Sequence, residues 1–312
     1  MGLSGVTTIT YTRDQLITDA FLEMGVIGES ETPSNDMITR ATRTLNAMMK
    51  EWVARGVGLW LNQRFTMALA YQTESYLIGP SGWHCTTSMT ETALSADAAS
   101  AATSISVDSI TGISNGDYIG IQLDGGTMQW TTVNGAPDPA GPSVTLTNAL
   151  TGAASEDAVV FAYTTKVNRP LGVVNLNVRD VNGNEIELFR LSREEYMALP
   201  LKSSLGKVVN YYYDPQLTNA RLFVWPTCQT VSDRLVGTFK MPIQIFVNAT
   251  DNPEFPEEYY SALKFGLSVQ LSTAYHVPDR TFSKLVGLAD SSFSNADQFD
   301  REEGSVYFAP GY

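Results

Sequence analysis

Between Asp36 and Trp60, Met37, Ile38, Ala41, Leu45, Met48, Met49, Trp52 and Val53 recur every three to four residues. That spacing gathers them on one face of a helix, and a face so large must be covered by another part of the chain. Thr32-Pro33 supplies an N-cap and a first-turn proline, and Gly56 a stop, so the helix is expected over 33–55. Alone, such a stripe is simply the core side of a helix. The question it sets is where its partner lies.

Three other segments carry the same signal. Thr12-Arg13-Asp14-Gln15 forms a capping box ahead of Leu16, Ile17, Ala20, Phe21 and Met24. Far downstream, Phe255-Pro256-Glu257-Glu258 opens a helix with its acids at the positive end, continued by Tyr259, Tyr260, Leu263, Leu267, Leu271 and Ala274. Pro278 interrupts, and a last helix carries Phe282, Leu285, Val286, Ala289, Phe293 and Ala296 towards Glu303. Two helices at each end, all needing apolar partners, fit one discontinuous helical domain, 1–63 with 250–303. Its expected core anchors are Leu45, Met48, Trp52, Leu263, Leu267 and Phe282. Residues 304–312 follow as a tail with apolar Val306, Tyr307, Phe308 and Tyr312.

The intervening sequence reads as strand. Arg64 to Leu69 and Ser75 to Ile78 precede a break at Gly79-Pro80-Ser81-Gly82. From Ala93 to Tyr163, alternating segments at 105–107, 118–123, 128–133, 144–146 and 159–163 are separated by Gly-, Asn- and Asp-rich turns. Short strands at this spacing indicate a small antiparallel barrel or sandwich. Further strands are expected at 173–178, 186–191, 208–213, 221–225 and 234–240, with Asn182-Gly183 as a hairpin turn and Ser192 to Glu195 capping a short helix. The fold class is therefore α+β: a helical bundle from the N- and C-terminal segments with an inserted antiparallel β region. That region divides into a core β domain, 64–85 with 166–249, and an inserted module, 86–165.

Charge supports the division. No Lys or Arg occurs between Arg64 and Lys166, where Glu74, Glu91, Asp97, Asp108, Asp117, Asp124, Asp138, Glu156 and Asp157 hold nine of the chain's thirteen net negative charges. Phosphate neutralisation needs clustered Lys and Arg, so tight DNA binding is not expected. An acidic surface is compatible with a passage along which DNA slides without being held. The sequence has no run long enough to span a bilayer and no signal-peptide pattern at its start, so cytoplasmic synthesis is expected.

Candidate chemistry is sparse. Cys85 and Cys228 are far apart and are expected as free thiols, and His84 and His276 add too little for a structural zinc site. Neighbouring His84 and Cys85 point to opposite faces of a strand, which is wrong for a nucleophile and its base. Asp180, Asn182 and Asn184 begin like a calcium loop, but Glu185 and Leu191 stand where glycine and the bidentate glutamate belong. The pairs Asp14/Asp19, Glu194/Glu195, Glu257/Glu258 and Glu302/Glu303 read as caps and solvated faces rather than acid and base. Tyr211-Tyr212-Tyr213, Phe223 and Trp225, without accompanying basic residues, read as sheet faces or subunit contacts. No catalytic residue, metal or cofactor is expected.

Leu45-Asn46-Ala47-Met48-Met49-Lys50-Glu51-Trp52, then Arg55-Gly56 and Leu59-Trp60, resembles the opening helix of the head-to-tail adaptor proteins of short-tailed phages, also called tail accessory or packaged-DNA stabilisation proteins. Leu191 to Tyr196, Lys202, Gly206, Tyr212-Tyr213-Asp214-Pro215 and Leu222 to Pro226 resemble that family's core β region, and Phe255 to Leu263 its C-terminal helices. The similarity runs over 12–65 and 167–303 in one order and leaves out 86–165. It implies a ring, usually of twelve copies, docked beneath the portal. Such a ring extends the DNA channel, retains packaged DNA and gives the tail a platform. Implied partners are further copies of the chain, the portal, tail nozzle or tail fibre proteins, and passing DNA without specific binding, with no membrane. The implied location is the head–tail junction of a virion, assembled in the host cytoplasm. Through Val306, Tyr307, Phe308 and Tyr312 the tail would contact the portal. Two alternatives stand beside this: a virion-associated peptidoglycan hydrolase, and a receptor- or carbohydrate-binding tail component.

Overall fold

The computed structural model describes residues 8–299. In chain order, α1 (Arg13–Met24) and α2 (Asn35–Ala54) come first. They lead to β1 (Asn62–Ala68), β2 (Ser75–Ile78), β3 (Cys85–Thr86), β4 (Thr90–Ala93), β5 (Ser104–Ser106), β6 (Tyr118–Gln122), β7 (Met128–Thr132), β8 (Ser143–Thr145) and β9 (Val159–Tyr163). Then come β10 (Gly172–Arg179), β11 (Glu185–Glu187), β12 (Phe189–Arg190), α3 (Arg193–Ala198), β13 (Leu205–Gly206), β14 (Asn210–Asp214), β15 (Ala220–Trp225), β16 (Thr227–Cys228) and β17 (Arg234–Lys240). The described chain closes with α4 (Tyr260–Ser272) and α5 (Asp279–Phe299). The fold is α+β, with the sheets inserted in sequence between the two helical ends. Two compact units result: residues 1–60 with 243–312, and residues 61–242. None of the described helices is long and apolar enough to cross a membrane.

In the helical unit, α4 packs against α1, α2 and α5. α1 starts on the expected capping box, with the Thr12 hydroxyl accepting from the Gln15 N–H and the Gln15 side chain from the Thr12 N–H. It ends at Gly25, whose φ of 68° is the left-handed cap that favours glycine. α2 starts two residues later than expected, because Ser34, not Thr32, caps it by accepting from the Met37 N–H. α4 is preceded by a short 3₁₀ turn at Glu257–Tyr259, so Pro256 and the acids after it open that turn and not the α-helix itself.

The β unit has two cores. One lies between a five-stranded sheet, β11-β10-β17-β1-β3, and a four-stranded sheet, β12-β14-β15-β2. Phe65 and Phe239 stack there at 3.4 Å, surrounded by residues of both sheets such as Val178, Leu235, Tyr211 and Val224. The expected strand at 186–191 is broken. Leu188 turns into the core, so Glu185–Glu187 pairs with β10 while Phe189–Arg190 joins β14 in the other sheet. That second pairing is parallel, as is β13 with β16, so the β region is antiparallel apart from two short contacts.

The other core belongs to the inserted module. Its sheets β4-β9-β6-β7 and β5-β8 are joined by single bridges, Leu94 to Val107 and Val133 to Leu146. Those bridges close the strands into a ring, β4-β9-β6-β7-β8-β5 and back to β4. The result is a small barrel rather than a sandwich. Ile105, Ile119, Ile121, Val144 and Val160 fill it, the inward half of each alternating pattern.

Candidate interaction surfaces

Five of the six expected helical anchors, Leu45, Met48, Trp52, Leu263 and Leu267, are buried. Phe282 is not. It is 38% exposed, and Leu285 and Ala296 carry the buried side of α5 instead. The periodic reading placed Phe282 on that side, but it lies in the first turn of α5, where the stripe has not yet met its partner. The tail residues Val306, Tyr307, Phe308 and Tyr312, with Glu302 and Glu303, lie outside the described residues.

Trp52 is the centre of an aromatic cluster. Its ring lies 4.8 Å from Phe293, 6.0 Å from Phe255 and 6.5 Å from Tyr259. Trp60 closes on the same pair, 5.1 Å from Phe255 and 5.4 Å from Tyr259, and its indole N–H donates to the Glu254 carbonyl at 2.9 Å. Edge-on and tilted rings at these separations add to burial alone. Beside the cluster, α2, α4 and α5 leave an apolar groove of about 380 Å³. Met48 and Trp52 form one wall, Ala289 and Phe293 the other, and Ala262, Gly266 and Val269 the floor.

The segment before α4 is fastened to α2 by polar side chains. The Asn46 amide bonds both backbone groups of Phe246, and Lys50 donates to the Ile243 carbonyl at 2.5 Å. Nothing in the hydrophobic pattern points to these contacts. Their one sequence signal is a short amide inside a helix, where asparagine is a poor choice unless its side chain has a task.

In the β unit, the barrel meets the sandwich at His84, which sequence reasoning set aside. Its ring stacks on Trp130 at 3.7 Å and 8°, and its Nδ1 lies 2.7 Å from the Tyr163 hydroxyl. Burial, with Lys166 as a lesser cause, lowers the His84 pKa to about 3. Lys166 donates to the Gly82 carbonyl at 2.6 Å and sits 5.1 Å over the Tyr118 ring. A second tie is the ion pair of Glu91, on the barrel, with the buried Arg234 of β17, whose guanidinium also lies over Phe161. Glu91 of the module without Lys or Arg thus takes its counter-charge from the sandwich. Cys85, next to His84, is buried in the sandwich core, where burial pushes its thiol up, and Cys228 is likewise a buried free thiol.

Several of the carboxylates flagged in sequence hold local structure in place. Asp14 pairs with Arg13 at 2.7 Å, Glu195 accepts the Ser192 N–H, and Glu257 accepts the Ile9 N–H. Burial raises the Asp19 pKa, against the opposing pull of Lys264. Asp180 accepts from the backbone of Asn182 and Asn184 and forms the hairpin turn. Among the described residues no group of three or more His, Cys, Asp or Glu is placed to hold a metal.

One expectation is corrected in the tyrosine-rich strand. Tyr211 and Tyr213 face the sandwich core, while Tyr212 and Phe223 stack on the opposite face beneath Tyr196. Cations do accompany that face: Arg221 lies 5.9 Å from the Phe223 ring and Lys202 5.6 Å from Tyr196. Lys202 is distant from that strand in sequence, whereas Arg221 stands two residues before Phe223 on the same face of β15.

No family model and no curated protein matches the chain. Among solved structures, VP17, a capsid protein of bacteriophage P23-77, aligns at 13% identity over 61% of this chain and 76% of its own, with a TM-score of 0.16. The VP16–VP17 complex of the two major capsid proteins of that phage aligns at 12% identity over 61% and 74%, with a TM-score of 0.13. Neither alignment defines a shared fold.

Proposed function

We propose that the chain is a virion structural protein, a head-to-tail adaptor that works by assembly and not by catalysis. The reading is supported by one observation above others. The two helical stretches that resemble adaptor proteins, Leu45–Trp52 and Phe255–Leu263, pack against each other in one unit, with Trp52 against Phe255 and Tyr259. In this reading the helical unit docks to the portal in a ring, usually of twelve copies, and residues 304–312 anchor it there. The β unit extends the DNA channel, and its lysine- and arginine-free barrel offers passing DNA no attractive surface. Tail nozzle or fibre proteins attach below.

Native mass measurement of the purified chain with and without portal protein tests the reading. The expected result is a chain that joins a ring only when portal is present. A chain whose mass is indifferent to portal would sink the proposal. Deleting 304–312 is expected to abolish docking, and a deletion that docks normally removes the anchoring role from the tail.

A further inference from the structure

The five-stranded sheet β11-β10-β17-β1-β3 bears a polar cavity of about 340 Å³ on the face turned away from the sandwich core. Phe65, Phe239 and Leu176 point into that core, so the residues beside them in each strand point out. Register then sets Arg64 of β1, Thr238 of β17 and Asn175 of β10 in one row across three strands. Thr66, Val236 and Asn177 form the next row. Thr87, Ser88 and Met89 flank the cavity, in a turn held by hydrogen bonds between the Thr86 hydroxyl and the Ser88 backbone.

The one register shift between β10 and β17 falls at this place. Val173 pairs with Phe239 and Asn175 with Thr238, so Val174 is an extra residue. Such a bulge re-aims the side chain beside it. Gly237 admits the bulge, because a Cβ there would lie 2.3 Å from the Asn175 carbonyl oxygen. The charges around the cavity are unequally matched. Arg179 and Glu185 form an ion pair, and the Asn177 amide donates to the second Glu185 oxygen at 3.0 Å. These bonds, that from Arg179 first, hold the Glu185 carboxyl below the usual carboxylate range, so it stays charged and engaged. Arg64 adds only a lesser attraction to Glu185. Among the described residues no hydrogen bond or ion pair engages the guanidinium of Arg64 or the side chains of Thr66, Asn175 and Thr238.

We propose that this cavity binds an acidic sugar, a monosaccharide unit carrying one carboxylate. Its volume falls in the range of small-molecule sites, ~300–1,000 Å³. With Arg179 and Glu185 cancelling each other, Arg64 supplies a single uncompensated positive charge, which suits one carboxylate. A planar guanidinium also matches a carboxylate in geometry, with two parallel hydrogen bonds. The Asn175 amide and the Thr66 and Thr238 hydroxyls can each donate and accept, as sugar hydroxyls do. A simple inorganic anion would use Arg64 and leave those groups idle, so they select a hydroxylated ligand. The inference does not rest on the adaptor reading, and its site lies in the β unit rather than the helical one.

The test uses the full chain without portal, so its failure is separate from failure of the adaptor reading. Methyl glucuronide and methyl galacturonide, their uncharged parents methyl glucoside and methyl galactoside, and acetate are each titrated into the chain by calorimetry and amide NMR. At least one of the two acidic sugars is expected to bind in the millimolar range. Its affinity should exceed that of its parent, which lacks the carboxylate, and of acetate, which lacks the hydroxyls, by at least tenfold. Amide shifts should move at Arg64, Asn175 and Thr238. Arg64→Gln, at an exposed position, is expected to bring the acidic sugar down to the affinity of its parent. Asn175→Ala, also at an exposed position, is expected to weaken the acidic sugar and leave acetate unchanged. Circular dichroism should be unaltered in both variants. Binding of neither acidic sugar, acetate bound as tightly as the sugar, full affinity in Arg64→Gln, or shifts confined to other parts of the chain each overturns the proposal.

Discussion

Asn46 and Phe246, 200 residues apart, are joined by two hydrogen bonds. The Asn46 side-chain amide donates to the Phe246 carbonyl at 3.1 Å, and its oxygen accepts the Phe246 N–H at 2.9 Å. One side chain on α2 thus satisfies both backbone groups of a buried residue in the irregular segment before α4. Asn46→Leu leaves both without partners. Unsatisfied groups of this kind cost about 1–3 kcal/mol. The urea midpoint of the helical unit is expected to fall accordingly, with an unchanged slope; an unaltered midpoint would show that the pair contributes nothing.

The two sides of α5 are expected to respond differently. Leu285 is 2% exposed and Phe282 38%. Leu285→Ala removes buried volume and should cost about 2–4 kcal/mol. Phe282→Ser should cost under about 1 kcal/mol. Thermal unfolding of the two variants checks the order, and an equal loss would return Phe282 to the core.

Gly120 is required by Trp130. A Cβ at position 120 would lie 2.8 Å from two atoms of the indole, which is held from its other side by the stacked His84 ring. Gly120→Ala should therefore destabilise the β unit by about 1–3 kcal/mol, as overpacking does. Combined with Trp130→Leu the cost should largely vanish. A double variant that shows the full penalty argues against the clash.

His84 gives the β unit a dependence on acid. Its pKa is lowered in the folded chain to about 3, from 6.5, chiefly by burial. Between those values the unfolded chain takes up the proton and the folded chain does not. Stability is therefore complete above about pH 6.5 and declines as the pH falls towards 3. His84→Gln should flatten this slope in urea unfolding measured from pH 7 to 4. In the wild type the His84 ring protons should show no titration by NMR across the same range.

The helical ends illustrate what was legible. Leu45, Met48 and Trp52 recur with a period that local sequence carries complete, and so do Leu263 and Leu267. The alternation at 118–123 and 128–133 likewise announces β6 and β7. Phe282 was misassigned because periodicity gives the side of a helix but not the length over which that side is covered. The strand at 186–191 was misread because nothing local marks Leu188 as the residue where the chain leaves one sheet for the other.

The sequence by itself determined the α+β order, the caps at Thr12 and Ser192 and the hairpin at Asn182-Gly183. All of these are encoded within a few residues, by hydrogen bonds and periodicities that depend only on neighbours. Tertiary structure alone decided which surfaces meet: Trp52 with Phe255 and Phe293, Asn46 with Phe246, His84 with Trp130 and Tyr163. It also decided that the six strands of the module close into a barrel and that a groove remains between α2, α4 and α5. These depend on residues brought together across long stretches of chain, where the selecting quantity is the shape and burial of the whole assembly, which no short window of sequence contains.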